Sequence, residues 1–314
     1  MDANMQSGVL YMNTGAKHGV HLVVALMSLR EHYDGDVAIC CEEDGPGRDV
    51  AEACAADDAL GPIKIVPDKS LRAGGKGVAY HCKTMLFRHS PFERTIFMDA
   101  DTLVLGDISP LWPDPATGEV ILTRFADWVS TGKKVNQRIK GWSEVEPARV
   151  RRMLDPPPES APASMIAHDP QGRRAWPAIN TGVVAWSSTS EAFCEDWNHT
   201  GAKRVTFIGD EIAAQLIFPD HNVRVLDARF NASVVFDWGR AGFDWDDARV
   251  AHGHGGKFWK RPGGREVYLP HYERALMQNR GNIQRLRVPH AWWKWLTDAD
   301  KERFSRYFTE PLAT

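Results

Sequence analysis

The stretch RTIFMDADTLVLGD, residues 94–107, combines a short apolar run with two closely spaced carboxylates. Residues 95–98 predict a buried strand, and Asp99 and Asp101 follow at its carboxyl end. Side chains at alternate positions of an extended segment point the same way, so the two carboxylates would repel each other unless a cation lay between them. A hard divalent ion with oxygen ligands fits that arrangement. A solvated turn after a strand is the other interpretation, but the preceding apolar run favours a metal site.

The chain around this strand alternates short apolar runs with stretches of helical periodicity. Predicted strands lie at residues 8–12, 36–41, 63–66, 95–98, 118–123, 181–186, 222–226 and 249–252. Predicted helices lie at residues 17–32, 49–56, 76–89 and 210–218. The polar, proline-rich segment between the strands at 118–123 and 181–186 predicts a long functional or disordered loop. This alternation is typical of an α/β protein with a Rossmann-like, mostly parallel sheet flanked by helices, which binds ligands at the carboxyl ends of its strands.

The sequence has 314 residues, of which 43% are hydrophobic and 25% charged, and its formal net charge is −3. This composition is typical of a globular protein and excludes a disordered or fibrous chain. The near-neutral balance argues against a large basic face, so we expect no nucleic-acid partner. The chain has no run of about 18 apolar residues, no signal-peptide pattern at its start, and no metal-type spacing of its five cysteines. We therefore expect a cytoplasmic protein with reduced, mostly buried thiols.

A glycine-rich turn at residues 250–259 carries a second group of chemically active side chains. His252 and His254 share this turn with Gly255 and Lys257. Imidazole is a common metal ligand, and glycines allow backbone amides to approach a phosphate whose charge a lysine balances. A flexible loop with two exposed histidines is the alternative. An imidazole beside two carboxylates would favour Mn²⁺ over Mg²⁺ or Ca²⁺.

Two further segments place polar groups beside predicted elements. Asn180 comes just before an apolar strand, and Asp210 and Glu211 stand at the start of a predicted helix. Acidic residues at a helix start are also favoured by the helix dipole alone, which is the purely structural interpretation.

Four motifs occur in the order in which family 8 glycosyltransferases carry them: Asp99-Ala-Asp101-Thr-Leu-Val, Asn180-Thr-Gly182, Gly209-Asp210-Glu211 and His252-Gly-His-Gly255-Gly-Lys257-Phe-Trp259. The stretch from Tyr80 to Asp107 looks especially like glycogenin and its relatives. The resemblance covers residues 8–260. It implies a GT-A fold, a UDP-sugar donor, Mn²⁺, and transfer of a hexose with retention at the anomeric carbon to a glycan, lipid-linked or protein acceptor.

The resemblance also implies roles for individual residues. Asp99, Asp101 and His252 would hold the metal, with Mg²⁺ as the alternative ion. Asn180 and Asp210 would line the sugar and the reaction centre as catalytic residues. Donor binding would involve a larger group, namely Asn13, Thr14, Lys83, Asp99, Ala100, Gly255 and Lys257.

The sequence departs from the family pattern at three places. The spacing from His252 to Lys257 is one residue shorter than usual, so His254 is the alternative metal ligand. Glu211 follows Asp210 where the family usually has glutamine. The turn at residues 12–15 matches the family's base-binding turn only loosely.

Three other functions compete with this interpretation. Asp99-Ala-Asp101-Thr-Leu103 resembles the haloacid-dehalogenase phosphatase signature, but that signature normally opens its domain, and here 98 residues precede it. A sugar nucleotidyltransferase would need a glycine-rich phosphate loop after the first strand, and Asn13-Thr-Gly-Ala-Lys17 is a poor substitute. A non-catalytic sugar-binding protein of the same fold would have no need of an intact metal cluster.

The pattern changes after residue 270, which predicts a GT-A domain at residues 1–270 and a C-terminal helical tail at 271–314. Residues 280–307 contain seven Lys or Arg against three Asp or Glu, together with Trp292, Trp293 and Trp295. Basic residues beside tryptophans suit peripheral contact with an anionic membrane. The alternative is a helix that packs its tryptophans back onto the GT-A domain.

Overall fold

The computed structural model describes residues 7–15, 18–71, 77–238, 243–254, 258, 262–278 and 297–305. Their strands are β1 (Ser7–Asn13), β2 (Asp36–Glu42), β3 (Ile63–Asp68), β4 (Arg94–Met98), β5 (Thr102–Val104), β6 (Val120–Val129), β7 (Ala167–His168), β8 (Arg174–Ala175), β9 (Pro177–Ser187), β10 (Val223–Leu226), β11 (Ala232–Ser233) and β12 (Val250–His252). Their α-helices are α1 (Gly19–Arg30), α2 (Pro46–Ala55), α3 (Val78–Lys83), α4 (Lys133–Lys140), α5 (Pro147–Leu154), α6 (Glu191–Lys203), α7 (Gly209–Ile217), α8 (Pro262–Gln278) and α9 (Asp298–Ser305).

Seven strands form the central sheet, in the order β10-β6-β9-β4-β1-β2-β3. The strands β3, β2, β1 and β4 run parallel to one another, as do β6 and β10. Strand β9 runs antiparallel to both of its neighbours. The predicted α/β architecture with a mostly parallel central sheet is confirmed. Because β9 is reversed, its first half lies at the same edge as the carboxyl ends of β4 and β6.

The central strands are buried on both faces, because successive side chains point to opposite sides of a sheet. Val9 of β1 belongs to a core built with α1, whereas Leu10 belongs to a second core built with α6 and α7. Helix α1 is apolar on nearly all sides, and residues 19–29 are all buried. Helix α8 covers its outer side, where the Nδ1 atom of His21 lies 3.1 Å from the hydroxyl of Tyr268.

A second sheet has three strands, in the order β11-β12-β5. Strand β5 follows β4 after a short turn and pairs antiparallel with β12, so that Thr102 lies opposite His252. Strand β11 pairs parallel with β12. This small sheet folds the chain back on the end of β4 and brings His252 to that end.

Local structure differs from the sequence prediction in several places. The helix predicted at residues 76–89 ends at Lys83, where the hydroxyl of Thr84 bonds to the carbonyl of His81 at 2.7 Å, and a 3₁₀ turn follows. The predicted loop after residue 123 instead contains the rest of β6, two helices and the β7–β8 hairpin. The predicted elements also do not include α6, a mainly polar helix whose buried side chains include Phe193, Cys194 and Trp197.

The C-terminal region is described only in α8 and α9, so Trp292, Trp293 and Trp295 lie outside the described residues. Helix α8 passes through residue 270, and the division of the chain there stays a prediction. None of the described helices has both the length and the apolar character needed to span a membrane. All five cysteines are buried and free, which agrees with the expectation of buried, unpaired thiols.

Candidate active site

Asp99 and Asp101 lie in a tight turn at the carboxyl end of β4. The amide of Asp99 donates to the carbonyl of Gly182 on β9 at 2.8 Å. The carbonyl of Asp99 accepts hydrogen bonds from the hydroxyl and the amide of Thr102 at 2.8 and 3.1 Å. Ala100 is buried between the two acids. These backbone bonds fix the turn and hold one oxygen of each carboxylate within 4.8 Å of the other.

His252 completes a group of three potential metal ligands. The amide of the following residue, Gly253, donates to the carbonyl of Asp101 at 2.8 Å and so ties β12 to the turn. The Nε2 atom of His252 lies 3.4 Å from Oδ1 of Asp101 and 3.6 Å from Oδ2 of Asp99. Two carboxylate oxygens and an imidazole nitrogen suit a divalent first-row metal ion. The structure thus brings together the three residues that the sequence predicts as metal ligands.

The two carboxyl groups respond differently to their surroundings. Burial by itself would raise the pKa of Asp101, but the facing His252 imidazole holds that pKa well below its usual range. Burial raises the pKa of Asp99 despite the ammonium group of Lys83 nearby. A buried and a half-buried carboxylate this close therefore depend on neighbouring positive charge, which a bound cation would also supply.

The approach of His252 to the central sheet depends on the absence of a side chain at Gly182. A Cβ atom at Gly182 would lie 2.3 Å from Cε1 and 2.4 Å from Nδ1 of the His252 ring, far inside van der Waals contact. Asn180 holds this backbone in place, because its Oδ1 accepts a 3.0 Å hydrogen bond from the Gly182 amide. The Asn-Thr-Gly motif of β9 therefore shapes the metal-ligand group from the side of the sheet.

His254 packs against His252. The two rings stack with 3.9 Å between their centroids, and the backbone of His254 has a φ of 48°. Phe125 and Phe236 pack on the His254 ring at centroid distances of 5.9 and 5.3 Å. Among the described residues, the converging ligand atoms belong to Asp99, Asp101 and His252 and do not include His254. The geometry favours His252 of the two alternatives.

Lys83 connects the metal-ligand group to Asp210. Its Nζ atom lies 2.9 Å from Oδ1 of Asp99 and 3.0 Å from Oδ2 of Asp210, and it donates to the carbonyl of Thr181 at 3.3 Å. The Lys83 side chain is 6% exposed. Burial by itself would lower its pKa, but the carboxylates of Asp210 and Asp99 raise that pKa above its usual range. Lys83 is therefore a permanent buried cation.

Asp210 stands in the first turn of α7. Its Oδ2 binds Lys83 and accepts a 2.7 Å hydrogen bond from the hydroxyl of Thr181. Its Oδ1 is buried and has no hydrogen-bond partner among the described residues. Ile208, two residues before, has a φ of 55°, a left-handed conformation that β-branched residues rarely adopt and that is concentrated at functional sites.

Other buried polar atoms near this edge also lack partners. Within the part of the chain that the structure describes, Nδ2 of Asn180, Oδ1 of Asn231 and Nδ1 of His252 make no hydrogen bond. Asn231 is fixed from its other end, since its Nδ2 donates to the hydroxyl of Thr123 at 2.8 Å. Buried polar groups are nearly always hydrogen-bonded, so several unpaired ones at one edge indicate a place for ligand or solvent.

Glu211 follows Asp210 and lies 3.4 Å from the Nη1 atom of Arg138 on α4. Burial, and then the charge of Asp210, raise the pKa of Glu211 to about 8, although Arg138 and Lys83 oppose this shift. Near neutral pH the side chain is therefore mostly a neutral carboxylic acid that can donate a hydrogen bond, as a glutamine amide would. At pH 7, Glu211 therefore resembles the glutamine that the family usually carries at this position more closely than it does at pH 9.

The predicted donor-binding residues at the end of β1 lie at the same edge of the sheet. Asn13 is buried, and its Nδ2 donates to the carbonyls of Gly15 and Gly47, both at 3.3 Å. Its Oδ1 is buried and has no hydrogen-bond partner among the described residues. Thr14 follows in a half-buried position. Strands β1 and β4 are parallel neighbours. Asn13 at the end of β1 and the Asp99 turn at the end of β4 therefore lie at the carboxyl ends of adjacent strands.

Two predicted donor-binding residues, Gly255 and Lys257, lie outside the described residues, and their roles stay predictions. Sequence reasoning missed the parts played by Thr181, which bonds to Asp210, by Gly182, which admits His252, and by Asn231. Thr181 and Gly182 stand in the Asn-Thr-Gly motif, but their contacts follow only from the reversed direction of β9. No motif marks Asn231.

Solved glycosyltransferase structures share this fold. The galactosyltransferase LgtC, in complex with donor and acceptor sugar analogues, superposes with a TM-score of 0.55 at 16% identity, over 92% of this chain and 100% of the LgtC chain. The glycosyltransferase GlyE of Streptococcus pneumoniae TIGR4 superposes with a TM-score of 0.52 at 14% identity, over 85% of this chain and 60% of the GlyE chain. Identities this low establish the fold, which is GT-A. No model of a known protein family matches the sequence, and no curated protein matches it.

Gly182→Ala should weaken divalent-metal binding, because the added methyl group would push the His252 ring away from the carboxylates. We expect the Mn²⁺ affinity, measured by calorimetric titration, to fall by about tenfold or more. Gly172→Ala is the control: it lies in open space, so its φ of 76° costs stability without touching the site. An unchanged Mn²⁺ affinity in Gly182→Ala would remove His252 from the ligand set.

The two histidines should differ in their effect on the metal. His252→Ala should lower the Mn²⁺ affinity by roughly tenfold or more, and His254→Ala by much less, because only His252 belongs to the converging ligand atoms. Electron paramagnetic resonance of bound and free Mn²⁺ measures both affinities. The reverse order would make His254 the ligand.

Glu211 should make stability depend on pH. Its pKa is about 8 in the folded chain against an ordinary value of 4.5, so the folded state keeps a proton that the unfolded chain releases between these pH values. The contribution is fully present below the ordinary pKa and is lost as the pH rises through the folded one. Relative to Glu211→Gln, the wild type should lose roughly 4 kcal/mol of unfolding free energy between pH 5 and about pH 8.5.

Urea unfolding of both proteins at several pH values measures this difference. Glu144→Gln, at an exposed glutamate, should follow the wild type throughout. If Glu211→Gln and the wild type changed in parallel with pH, Glu211 would have an ordinary pKa.

Proposed function

We propose that this chain is a retaining glycosyltransferase that moves a hexose from a UDP-sugar to a hydroxyl group of a glycan, lipid-linked or protein acceptor. Mn²⁺ would be its metal, with Mg²⁺ as the alternative. The proposal depends on one observation: Asp99, Asp101 and His252 converge with the Lys83–Asp210 ion pair at the carboxyl edge of a GT-A sheet. LgtC, which shares the fold, is described as a galactosyltransferase in complex with donor and acceptor sugar analogues, which supports this choice.

The donor would lie across the ends of β1 and β4. Asn13 and Thr14 would contact the nucleoside, where the unpaired Oδ1 of Asn13 could accept a hydrogen bond. Asp99, Asp101 and His252 would hold the metal ion, which when bound would neutralise charge on the leaving diphosphate as a Lewis acid. Lys257 and the amides near Gly255 would bind the same diphosphate, as the resemblance implies.

The sugar would lie against Asn180 and Asp210. Each has an unpaired buried polar atom, a donor on Asn180 and an acceptor on Asp210, and both could bind hydroxyl groups of the sugar. Lys83 contacts both Asp99 and Asp210. This one buried cation would therefore align the diphosphate end of the donor with its sugar end. Alignment of this kind reduces the entropy that the reaction must lose.

Retention at the anomeric carbon is compatible with two routes. In one, Asp210 attacks and forms a covalent intermediate that the acceptor then displaces. In the other, the acceptor hydroxyl attacks from the side of the departing diphosphate and gives its proton to a diphosphate oxygen. Oδ2 of Asp210 is bound by Lys83 and Thr181, which lowers the nucleophilicity of the carboxylate. We therefore favour the second route, with Asp210 stabilising positive charge on the sugar.

A calorimetric screen of UDP-sugars with and without Mn²⁺ tests the proposal. At least one UDP-sugar should bind tightly only in the presence of Mn²⁺. Asp101→Asn should weaken this binding by about a hundredfold and remove nearly all transfer, because it takes away one of three ligands. Asp58→Asn, which changes an exposed acid far from the site in sequence, should behave like the wild type.

The product then reports the mechanism. Nuclear magnetic resonance of the first product should show the anomeric configuration of the donor. An inverted product would contradict the retaining mechanism. A protein that binds no UDP-sugar but releases phosphate from phosphorylated sugars would be a phosphatase instead.

A further inference from the structure

Helix α4 presents a basic face to solvent at one side of the candidate site. Lys133, Lys134 and Lys140 are exposed, whereas Val135 and Ile139 are buried against the protein. The helix contains no acidic residue. Within the described part of the chain, none of the three lysines forms an ion pair, and the Nζ atom of Lys134 lies 5.5 Å from the centroid of the Trp128 ring. The exposed ammonium groups of this face therefore have no carboxylate partner among the described residues and can meet an outside anion.

The loop between α6 and α7 adds apolar surface beside this face. Val205 is 47% exposed and Phe207 is 57% exposed, and Met277 is the one other exposed large hydrophobic residue among those described. The guanidinium of Arg204 donates to the carbonyl of Gly141, which directly follows α4. Helix and loop thus form one surface, called here the basic–apolar patch: Lys133, Lys134, Lys140, Arg204, Val205 and Phe207.

The patch lies beside the reaction centre. Phe207 packs edge-on against Tyr80 of α3 at a centroid distance of 5.2 Å, and Lys83 lies one turn further along the same helix. On the other side, Arg138 of α4 lies 3.4 Å from Glu211 in the first turn of α7. A partner bound to the patch would therefore be adjacent to the candidate active site.

We propose that the basic–apolar patch docks the protein on an anionic lipid bilayer and so brings the reaction centre to an acceptor carried at the membrane surface. The part about the acceptor rests on the function proposed above, whereas the docking does not. The basic side chains would pair with lipid phosphates, and Val205 and Phe207 would enter the interfacial layer. A neutral oligosaccharide would use the Phe207 ring but not the lysines, so the charge favours the bilayer.

Co-sedimentation of the full-length protein with vesicles tests the docking. Phosphatidylcholine vesicles with about 30% phosphatidylglycerol should bind the protein, pure phosphatidylcholine should bind it far less, and salt should weaken the binding. The double variant Val205→Ser/Phe207→Ser should lower the partition coefficient roughly tenfold. Lys133→Gln/Lys134→Gln should lower it about twenty-fivefold, because each basic residue near an anionic surface contributes about fivefold.

Matched controls separate the patch from general charge and apolarity. Lys64→Gln/Lys69→Gln removes two exposed lysines at the β3 edge of the sheet, and Met277→Ser removes the other exposed large hydrophobic side chain. Both should bind anionic vesicles like the wild type. Thermal melts of all variants should differ only slightly, since every substituted side chain is exposed.

Several results would overturn the docking proposal. One is a wild-type protein that does not bind anionic vesicles. Another is equal binding by the wild type and both patch variants, which would place the contact elsewhere, such as in the C-terminal tail. If the patch variants kept vesicle binding and instead raised KM for a soluble oligosaccharide, Phe207 would belong to a sugar subsite. Calorimetric UDP-sugar binding, measured in parallel, separates the two proposals. Absent vesicle binding with intact UDP-sugar binding contradicts only the docking, whereas absent UDP-sugar binding contradicts the proposed function.

Discussion

One buried ammonium group holds the candidate active site together. Lys83 lies between the carboxylates of Asp99 and Asp210, which come from the end of a strand and the start of a helix far apart in the chain. Without that charge, two acids would face each other where burial already disfavours ionisation, and breaking such a buried pair is strongly destabilising. Two local irregularities accompany this contact: α3 ends at Lys83, and Ile208 takes a left-handed conformation just before α7.

The second constraint is steric and joins the two sheets. The His252 ring occupies the volume that any side chain at Gly182 would fill, so the small sheet approaches the central one most closely at this backbone position. Asn180 secures that position through the Gly182 amide, while its other amide atom stays unpaired. The Asn180 side chain thus makes a structural contact through Oδ1, while its Nδ2 has no hydrogen-bond partner among the described residues. This arrangement couples the orientation of the metal-ligand group to the groups that would meet a sugar.

The sequence predicts the parts of the site that depend on local patterns. The alternation of side chains after a buried apolar run predicts that Asp99 and Asp101 lie close together, whereas the choice of His252 as the third ligand comes from the family resemblance. His252 faces the carboxylates and His254 does not. This difference depends on the stacking of the two rings and on Gly182, which comes from another strand. The helices after residue 123 are not predicted for a different reason. Because α4 and α5 bury only two side chains each, their sequences show no clear helical period. The reversal of β9 comes from long-range pairing, which no local pattern encodes.

The burial of α1 has a consequence for how the protein is made. This helix, Gly19–Arg30, is translated well before α8, which covers its outer side through His21 and Tyr268 and begins only at Pro262. More than two hundred residues of synthesis separate the two. During that interval the nascent chain carries an apolar helix with one side uncovered, a surface that chaperones bind and that promotes aggregation. The half of the sheet formed by β1, β2 and β3 therefore cannot complete its core until α8 has been translated.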